Sequence, residues 1–358
     1  MTAHDWEAIL LPELRQALPQ YASKRLTLSL ARPSFDYTNS RLHFFDLLAE
    51  GRPVQELAIK EVREAAQSEV WLEFQGMNRL WAHLAGHPHI RAPRPLFWLA
   101  RPPALAMEAA RGERLHRVLA ACRRPQRPAR YSQALACVHL AGQALSLLHQ
   151  IAPAPNATLL PAPAARAEAA FHRLLGVGVP AGQIDDLHRR LEPVLASQPP
   201  SGPLVALHGD YTLRNLLCAA DGALTILDTS LDTAGPPSHD VGYFLASLAF
   251  IDRWQLLAGR LAWPPANIAA MREAFLAGYG DGDGWGRGLT HGPDPDAGLD
   301  AGQLQLFTAL RLLERWGQYA ETWQASRSRV ARWVLGARGQ RYFAGAVAEA
   351  MVERDSNR

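Results

Sequence analysis

Leu204-Val205-Ala206-Leu207-His208-Gly209-Asp210-Tyr211-Thr212-Leu213-Arg214-Asn215-Leu216-Leu217 is the stretch on which the reading of this chain turns. An apolar run of strand length meets a polar segment and then a second apolar run. The pattern predicts a short buried strand, a polar loop and another strand. Asp221-Gly222 supplies a hairpin turn signal, and Ala223 to Leu227 reads as a partner strand ending in Asp228. Pairing across that turn would bring Asn215 and Asp228 to one end of the hairpin, with Asp210 on the loop just before it. Two carboxylates and an amide carbonyl would then offer oxygen donors, the ligand type that suits Mg²⁺.

Phosphoryl transfer needs such a set. One carboxylate orients the attacking hydroxyl and accepts its proton, while others hold metal ions that neutralise charge developing on the phosphate. Protein kinases use Asp-x-x-x-x-Asn followed by a metal-binding Asp. Asp210 to Asn215, with Asp228 at the end of the next strand, repeats that logic.

Upstream, the pattern predicts a small antiparallel sheet with a packed helix. Trp6, Ile9, Leu10, Leu14 and Leu18 recur at helical spacing. Strands are expected at Leu26–Leu30, Leu42–Leu48 and Glu56–Val62, the last two joined by the turn Glu50-Gly51-Arg52-Pro53. A helix from about Ala65 to Leu84 follows, then strands near Leu96–Leu99 and Leu105–Glu108. Lys60 sits amid apolar residues in Leu57-Ala58-Ile59-Lys60-Glu61-Val62, as in the Val-Ala-Ile-Lys strand of kinases. Beyond Gly112 helices dominate: Tyr131–Ile151, Ala164–Leu175, Gln183–Ala196, Leu304–Trp323 and Val330–Val352. Gly278 to Gly298 is rich in Gly, Asp and Pro and reads as a loop, surface-exposed or a substrate lid.

The chain has 358 residues, 48% hydrophobic and 20% charged, with a formal charge of +3. Such balance suits a two-lobed globular protein and gives no basic footprint for nucleic acid. No apolar run is long enough for a membrane span, and the N-terminus lacks the order of a secretory signal, so a cytoplasmic setting is expected. Cys122, Cys137 and Cys218 lack CxxC spacing and read as reduced thiols.

Taken together, these motifs resemble the aminoglycoside phosphotransferase and choline kinase-like enzymes, whose fold is protein-kinase-like. The hallmark His-Gly-Asp-x-x-x-x-Asn stands as His208-Gly209-Asp210 to Asn215. The strand ending Ile-x-Asp stands as Ile226-Leu227-Asp228, and Gly-x-x-x-x-Asp as Gly235-Pro236-Pro237-Ser238-His239-Asp240. The resemblance implies an α+β, bilobal fold, with a small antiparallel-sheet N-lobe over residues 1–109 and a larger, mostly helical C-lobe over 110–358. It implies that Asp210 is the catalytic base, that Asn215 and Asp228 bind Mg²⁺, and that His208 and Asp240 support the loop. Lys60 would contact the phosphates of ATP, or of GTP as the alternative. Glu73 would pair with Lys60, and Glu69, one turn earlier, is the rival partner. The carbonyl of Met107 and the amide of Ala109 would meet the adenine edge.

Two departures stand out. The loop Phe35-Asp36-Tyr37-Thr38-Asn39-Ser40-Arg41 contains no glycine, so Ser40 and Thr38 are the candidate phosphate contacts. Asp228-Thr229-Ser230 lacks the aromatic residue that often follows the aspartate. The resemblance implies a hydroxylated small molecule as acceptor, and no Asp-Phe-Gly or Ala-Pro-Glu bounds an activation segment, so no phosphorylation switching is expected. Enzymes of the resembled group act on aminoglycosides, choline, ethanolamine, homoserine and sugars, and fold does not choose among them. For a cationic acceptor the candidate carboxylates are Asp232, Glu314 and the acids between Asp281 and Asp300. Trp316, Tyr319 and Trp323 would form either an aromatic wall or part of the core. The alternative to an enzyme is a catalytically silent, nucleotide- or partner-binding protein of the same fold. Oligomeric state is open.

Overall fold

The computed structural model describes residues 3–37, 39–63, 67–122, 128–196, 203–249, 265–281, 300–325 and 329–352. The chain divides into two units. One is Met1–Gly112 with Leu217–Asp232, the other Glu113–Leu216 with Thr233–Arg358. The first is therefore built from two separate pieces of chain.

Period-two alternation explains the first unit. Its strands β1 (Leu26–Asp36), β2 (Ser40–Ala49), β3 (Arg52–Val62), β5 (Pro95–Ala100) and β6 (Pro103–Glu108) form an antiparallel sheet in the order β1-β2-β3-β6-β5. Phe45, Leu47, Leu57, Ile59, Ala104 and Ala106 cluster with Trp6, Leu10 and Leu14 of α1 (Ala3–Ala17). Their neighbours in sequence, Phe44, Ala58, Leu105 and Met107, cluster instead with Val70 and Met77 of α2 (Gln67–His83). Alternate residues on a strand face opposite sides of the sheet, so each helix covers one face. At the turn between β2 and β3, Glu50 and Gly51 both take positive φ (51° and 74°), which a tight hairpin requires.

β1 runs beyond the expected end at Leu30. It continues to Asp36 with register shifts at Leu30/Arg32 and Arg32/Phe35. Pro33 is tolerated because β1 lies at the sheet edge, where a missing N–H donor need not break a ladder. The second piece of the unit is a hairpin in which the Ala219 amide donates to the Ala223 carbonyl at 2.8 Å, leading into β11 (Leu224–Ile226). β11 pairs in parallel with β4 (Ile90–Arg91).

The second unit is mainly helical. It comprises β7 (Glu113–Arg114), α3 (Leu115–Ala121), α4 (Pro128–Leu148), β8 (Thr158–Leu159), α5 (Pro163–Gly176), α6 (Ala181–Ala196), β9 (Val205–Leu207), β12 (Thr233–Gly235) and α7 (Ser238–Ala249). Three long helices complete it: α8 (Pro265–Asp281), α9 (Ala301–Gln324) and α10 (Arg329–Val352). Strand β10 (Leu216–Cys218) spans the boundary between the units. Ala170, Phe171, Leu187, Leu191, Leu310, Leu313, Trp316 and Phe343 share one core.

Gly278, expected at the start of a loop, lies inside α8. A Cβ there would fall 1.9 Å from the His139 carbonyl oxygen, and one at Gly142 would fall 2.1 Å from that of Phe275. Both glycines let α4 and α8 cross closely, so Gly278 serves packing rather than chain flexibility. Residues 282–298 of the segment, with Asp283, Trp285, Arg287, His291, Asp294 and Asp296, lie outside the described residues. Among the described residues no helix is long and apolar enough to cross a membrane.

Candidate active site

In the first unit, Lys60 is placed by strand alternation. It lies two residues after Ala58 on β3 and so faces α2. On α2, Val70, Glu73 and Met77 are spaced by three and four residues and share the face turned to the sheet. Glu69 lies outside that stripe and is exposed. Accordingly Lys60 Nζ donates to Glu73 Oε1 at 2.7 Å, and also to Asp228 Oδ1 at 3.1 Å. Burial alone would lower the Lys60 pKa. The charges of Asp228 and then Glu73 outweigh it, so the ammonium is held above its ordinary value.

The Asp228 loop is seated against α2. Gly76 admits its backbone, since a Cβ there would lie 1.8 Å from the Ser230 carbonyl oxygen. Arg79 Nη1 donates to the Leu231 carbonyl at 3.3 Å, and Ser230 Oγ to Asp232 Oδ1 at 2.5 Å. Asp228 and Leu231 take left-handed φ of 55° and 50°. An aspartate accepts this readily; for a leucine it costs about 1 kcal/mol, which the packing around a side chain only 1% exposed must offset.

Elsewhere in this unit Ser40 opens β2, and its carbonyl accepts from the Tyr37 amide at 2.8 Å; Thr38 lies outside the described residues. Met107 is in β6 opposite Ala58. Ala109, whose amide is expected at the adenine edge, follows directly on β6. Its N–H already donates to the Glu56 carbonyl at 2.9 Å, so the amide is committed to the sheet. The amides of Ala110 and Arg111, just beyond, have no partner among the described residues.

In the second unit, the loop after β9 is organised by Asp240 near the start of α7. Its wholly buried carboxylate accepts from the amides of His208 (2.7 Å) and Gly209 (3.0 Å). The rings of His149 (3.3 Å) and His239 (3.2 Å) also meet it, and His149 Nδ1 lies 2.9 Å from the Tyr279 hydroxyl. Burial pushes the Asp240 pKa up, but hydrogen bonds from His149 and His239 prevail and hold it well below the usual carboxylate range. Gly209 takes φ of 82°, the turn that delivers Asp210. His208 Nδ1 accepts from the Asp210 amide at 3.3 Å.

Asp210 presents a side chain 47% exposed. Asn215 Nδ2 donates to both the carbonyl (2.9 Å) and Oδ2 (3.1 Å) of Asp210, which fixes the amide and turns its Oδ1 the other way. That oxygen has no hydrogen-bond partner among the described residues. Oδ1 of Asp210 accepts from Arg311 Nη2 (2.5 Å) and Arg315 Nη2 (3.2 Å), both on α9. These arginines are absent from the sequence reading. Their i, i+4 spacing on a predicted helix was visible, but their link to a residue a hundred positions away was not.

A family model described as "Phosphotransferase enzyme family" matches residues 56–289, well over half of the chain. The chain belongs to this phosphotransferase family. No curated protein sequence matches it. Among solved structures, a candidate aminoglycoside phosphotransferase of Ralstonia eutropha JMP134 superposes with a TM-score of 0.61 at 14% identity, covering 95% of this chain and 97% of that one. A choline/ethanolamine kinase family protein of Mesorhizobium loti gives 0.54 at 16% identity, over 95% and 98% of the chains. An aminoglycoside 2''-phosphotransferase solved with GDP and kanamycin gives 0.52 at 13%, over 96% and 99%. At these identities the likeness establishes the fold, which is the α+β, protein-kinase-like one.

Within the phosphotransferase fold, several residues considered for substrate contact have structural work instead. Glu314 is occupied: it accepts from Arg166 (2.6 and 2.9 Å) and from the Tyr243 hydroxyl (2.9 Å). Its pKa is lowered because Arg166 and Arg311 overcome the effect of burial. Trp316 and Trp323 are buried in the helical core, while Tyr319 is half-buried. Asp300 caps α9, accepting from the Gln303 amide at 2.7 Å, and Asp281 meets His139 at 3.3 Å. Among the described residues no group of three or more His, Cys, Asp or Glu side chains could hold a metal ion.

Proposed function

We propose that this protein transfers the γ-phosphate of ATP or GTP to a hydroxyl group of a small molecule. The observation that carries the reading is the Asp210 loop. An aspartate half-exposed to solvent is delivered by a left-handed glycine and a buried carboxylate, while an asparagine fixes its far side. The family membership supports it, as does the complex of a structural relative with GDP and kanamycin.

In the proposed step, an acceptor oxygen attacks the γ-phosphorus as the bond to the β–γ bridging oxygen breaks, and the nucleoside diphosphate leaves. Asp210 orients the hydroxyl and takes its proton, which then passes to solvent. Lys60, braced by Glu73, binds nucleotide phosphate oxygens. Ser40 adds a hydroxyl contact there, and the segment from Met107 to Arg111 meets the base. Asn215 Oδ1 and the Asp228 carboxylate are hard oxygen donors of the kind Mg²⁺ takes, and they are the ligands proposed for it. When bound, the ion would neutralise phosphate charge. His208 and Asp240 hold the loop without touching substrate. A cytoplasmic setting, where these nucleotides are available, suits the reading.

A second reading, a silent nucleotide-binding protein, is favoured by one observation: Oδ1 of Asp210 is engaged by two guanidinium groups. Transfer of label from γ-labelled ATP or GTP with Mg²⁺ to a panel of small alcohols separates the two. Acceptor-dependent transfer that falls at least ~10³-fold in Asp210→Asn supports the transferase. Nucleotide binding with no transfer to any acceptor supports the silent protein.

A further inference from the structure

Beside Asp210, α9 and the Asp210 loop line a pocket that includes Thr212, Arg214, Tyr243, Arg311, Arg315 and Tyr319. The lining holds three arginines and no carboxylate. Glu314, one residue before Arg315 in sequence, is consumed by Arg166 and Tyr243 and offers the pocket little negative charge. If Arg166 balances Glu314 and Arg311 balances Asp210, the charges of Arg315 and Arg214 remain in excess. Arg214 is exposed and has no ion-pair partner among the described residues.

The arginines differ in exposure and in their contacts. Arg311 is fixed: its guanidinium stacks on Tyr243 at 3.9 Å, lies 3.5 Å from Glu314, and its side chain is 9% exposed. Its Nε has no hydrogen-bond partner among the described residues. Arg315 is one third exposed, reaching Asp210 through Nη2 and Gln318 through Nη1 at 3.1 Å. Burial, and then the nearby charge of Arg311, press the Arg315 pKa down, and Arg214 adds to the same effect. The pocket thus carries positive potential that no lining carboxylate compensates.

We propose that the acceptor alcohol bears an anionic group, a carboxylate or a phosphate, which Arg315 and Arg214 bind while Arg311 stays with Asp210. The assignment rests on the phosphotransferase reading and narrows its substrate class. Guanidinium pairs suit oxyanions because they donate two parallel hydrogen bonds. A cationic acceptor would meet two arginines without a counter-charge, and like charge at such range opposes binding. Arg315, shared between Asp210 and the bound anion, would draw the acceptor hydroxyl towards the base. The phosphoryl step is unchanged: oxygen–phosphorus bond made, β–γ bridge broken, proton to Asp210.

Isothermal titration of the intact protein at fixed, low ionic strength tests this, with glycerate and glycerol 3-phosphate as anionic probes and choline and kanamycin as cationic ones. Both anions compete for one site, and the tighter one tells carboxylate from phosphate. Arg315→Gln and Arg214→Gln should each weaken the preferred anion about tenfold or more. Thermal midpoints should stay unchanged, because both side chains lie at the surface of the pocket. Tighter binding of choline or kanamycin would overturn the proposal. So would anion affinity within twofold of wild type in both variants, or no anion binding at all. Label transfer from ATP or GTP to the same probes keeps the two ideas separable. Arginine-dependent anion binding without transfer would uphold the anionic pocket and count against the transferase. Transfer to the cationic probes alone would do the reverse.

Discussion

Replacing Gly76 by alanine isolates the seat of the Asp228 loop. Glycine inside a helix ordinarily costs about 0.5–1 kcal/mol relative to alanine, so propensity alone makes Gly76→Ala stabilising. The structure predicts the opposite sign. The new Cβ would lie 1.8 Å from the Ser230 carbonyl oxygen, 2.2 Å from its carbon and 2.8 Å from its Cα, all backbone atoms. Contacts under 3.0 Å are essentially never seen, so α2 and the loop must separate by about 1.2 Å. Overpacking of this kind costs about 1–3 kcal/mol. The same displacement acts on Asp228, two residues away and 3.1 Å from Lys60. A shift of about 1 Å in a positioning group can lower turnover ~10²-fold. Gly345→Ala on α10, where an added Cβ meets nothing within 4 Å, is the control and should stabilise by about 0.5–1 kcal/mol. Urea unfolding followed by tryptophan fluorescence reads both variants. Gly76→Ala as stable as Gly345→Ala would refute the close approach of the loop to α2.

Other expectations follow from the buried charges. Asp240→Asn turns one of the two oxygens that each accept from a backbone amide into an NH₂ donor, so it should destabilise by about 3 kcal/mol and abolish transfer; a loss under about 1 kcal/mol in urea unfolding would contradict the bracing role. Glu314→Gln should cost about 3 kcal/mol, since it leaves the buried Arg166 guanidinium uncompensated, and a thermal midpoint within a degree of wild type would speak against that. Because the lowered Glu314 pKa lies below its unfolded value, its stabilisation is complete above about pH 5 and declines as pH falls through the folded value. The wild-type advantage over Glu314→Gln should therefore shrink only in acid. Lys60 shows the converse sign: its raised pKa keeps its contribution present below about pH 10 and lost only as pH rises through the folded value. Nucleotide affinity should accordingly show no loss of this charge between about pH 7 and pH 9, as titration calorimetry can check.

Much of this site was legible in the sequence, for reasons that can be named. Lys60 and Ala58 share a strand face through period two, and Val70, Glu73 and Met77 share a helix face through spacings of three and four. Together these favour Glu73 over Glu69 once β3 and α2 are packed. The Asp210 loop declared itself because its residues are close in sequence and each needs a particular atom type. Arg311 and Arg315 did not, since only the packing of α9 brings them to Asp210. The bond from the Ala109 amide to Glu56 was not legible for a related reason: whether a strand-end amide is free depends on register across β3 and β6, which side-chain pattern does not encode. Gly278 was misread because glycine marks both loops and close helix crossings, and only the partner at His139 distinguishes them.

Titration of the full chain with ATP and with GTP in the presence of Mg²⁺, beside Lys60→Met, tests the central claim most directly. The account predicts saturable binding of at least one nucleotide near one per chain, dependent on Mg²⁺ and weakened about tenfold or more by the substitution. Failure of both nucleotides to bind at millimolar concentration, or binding indifferent to Lys60, would contradict it.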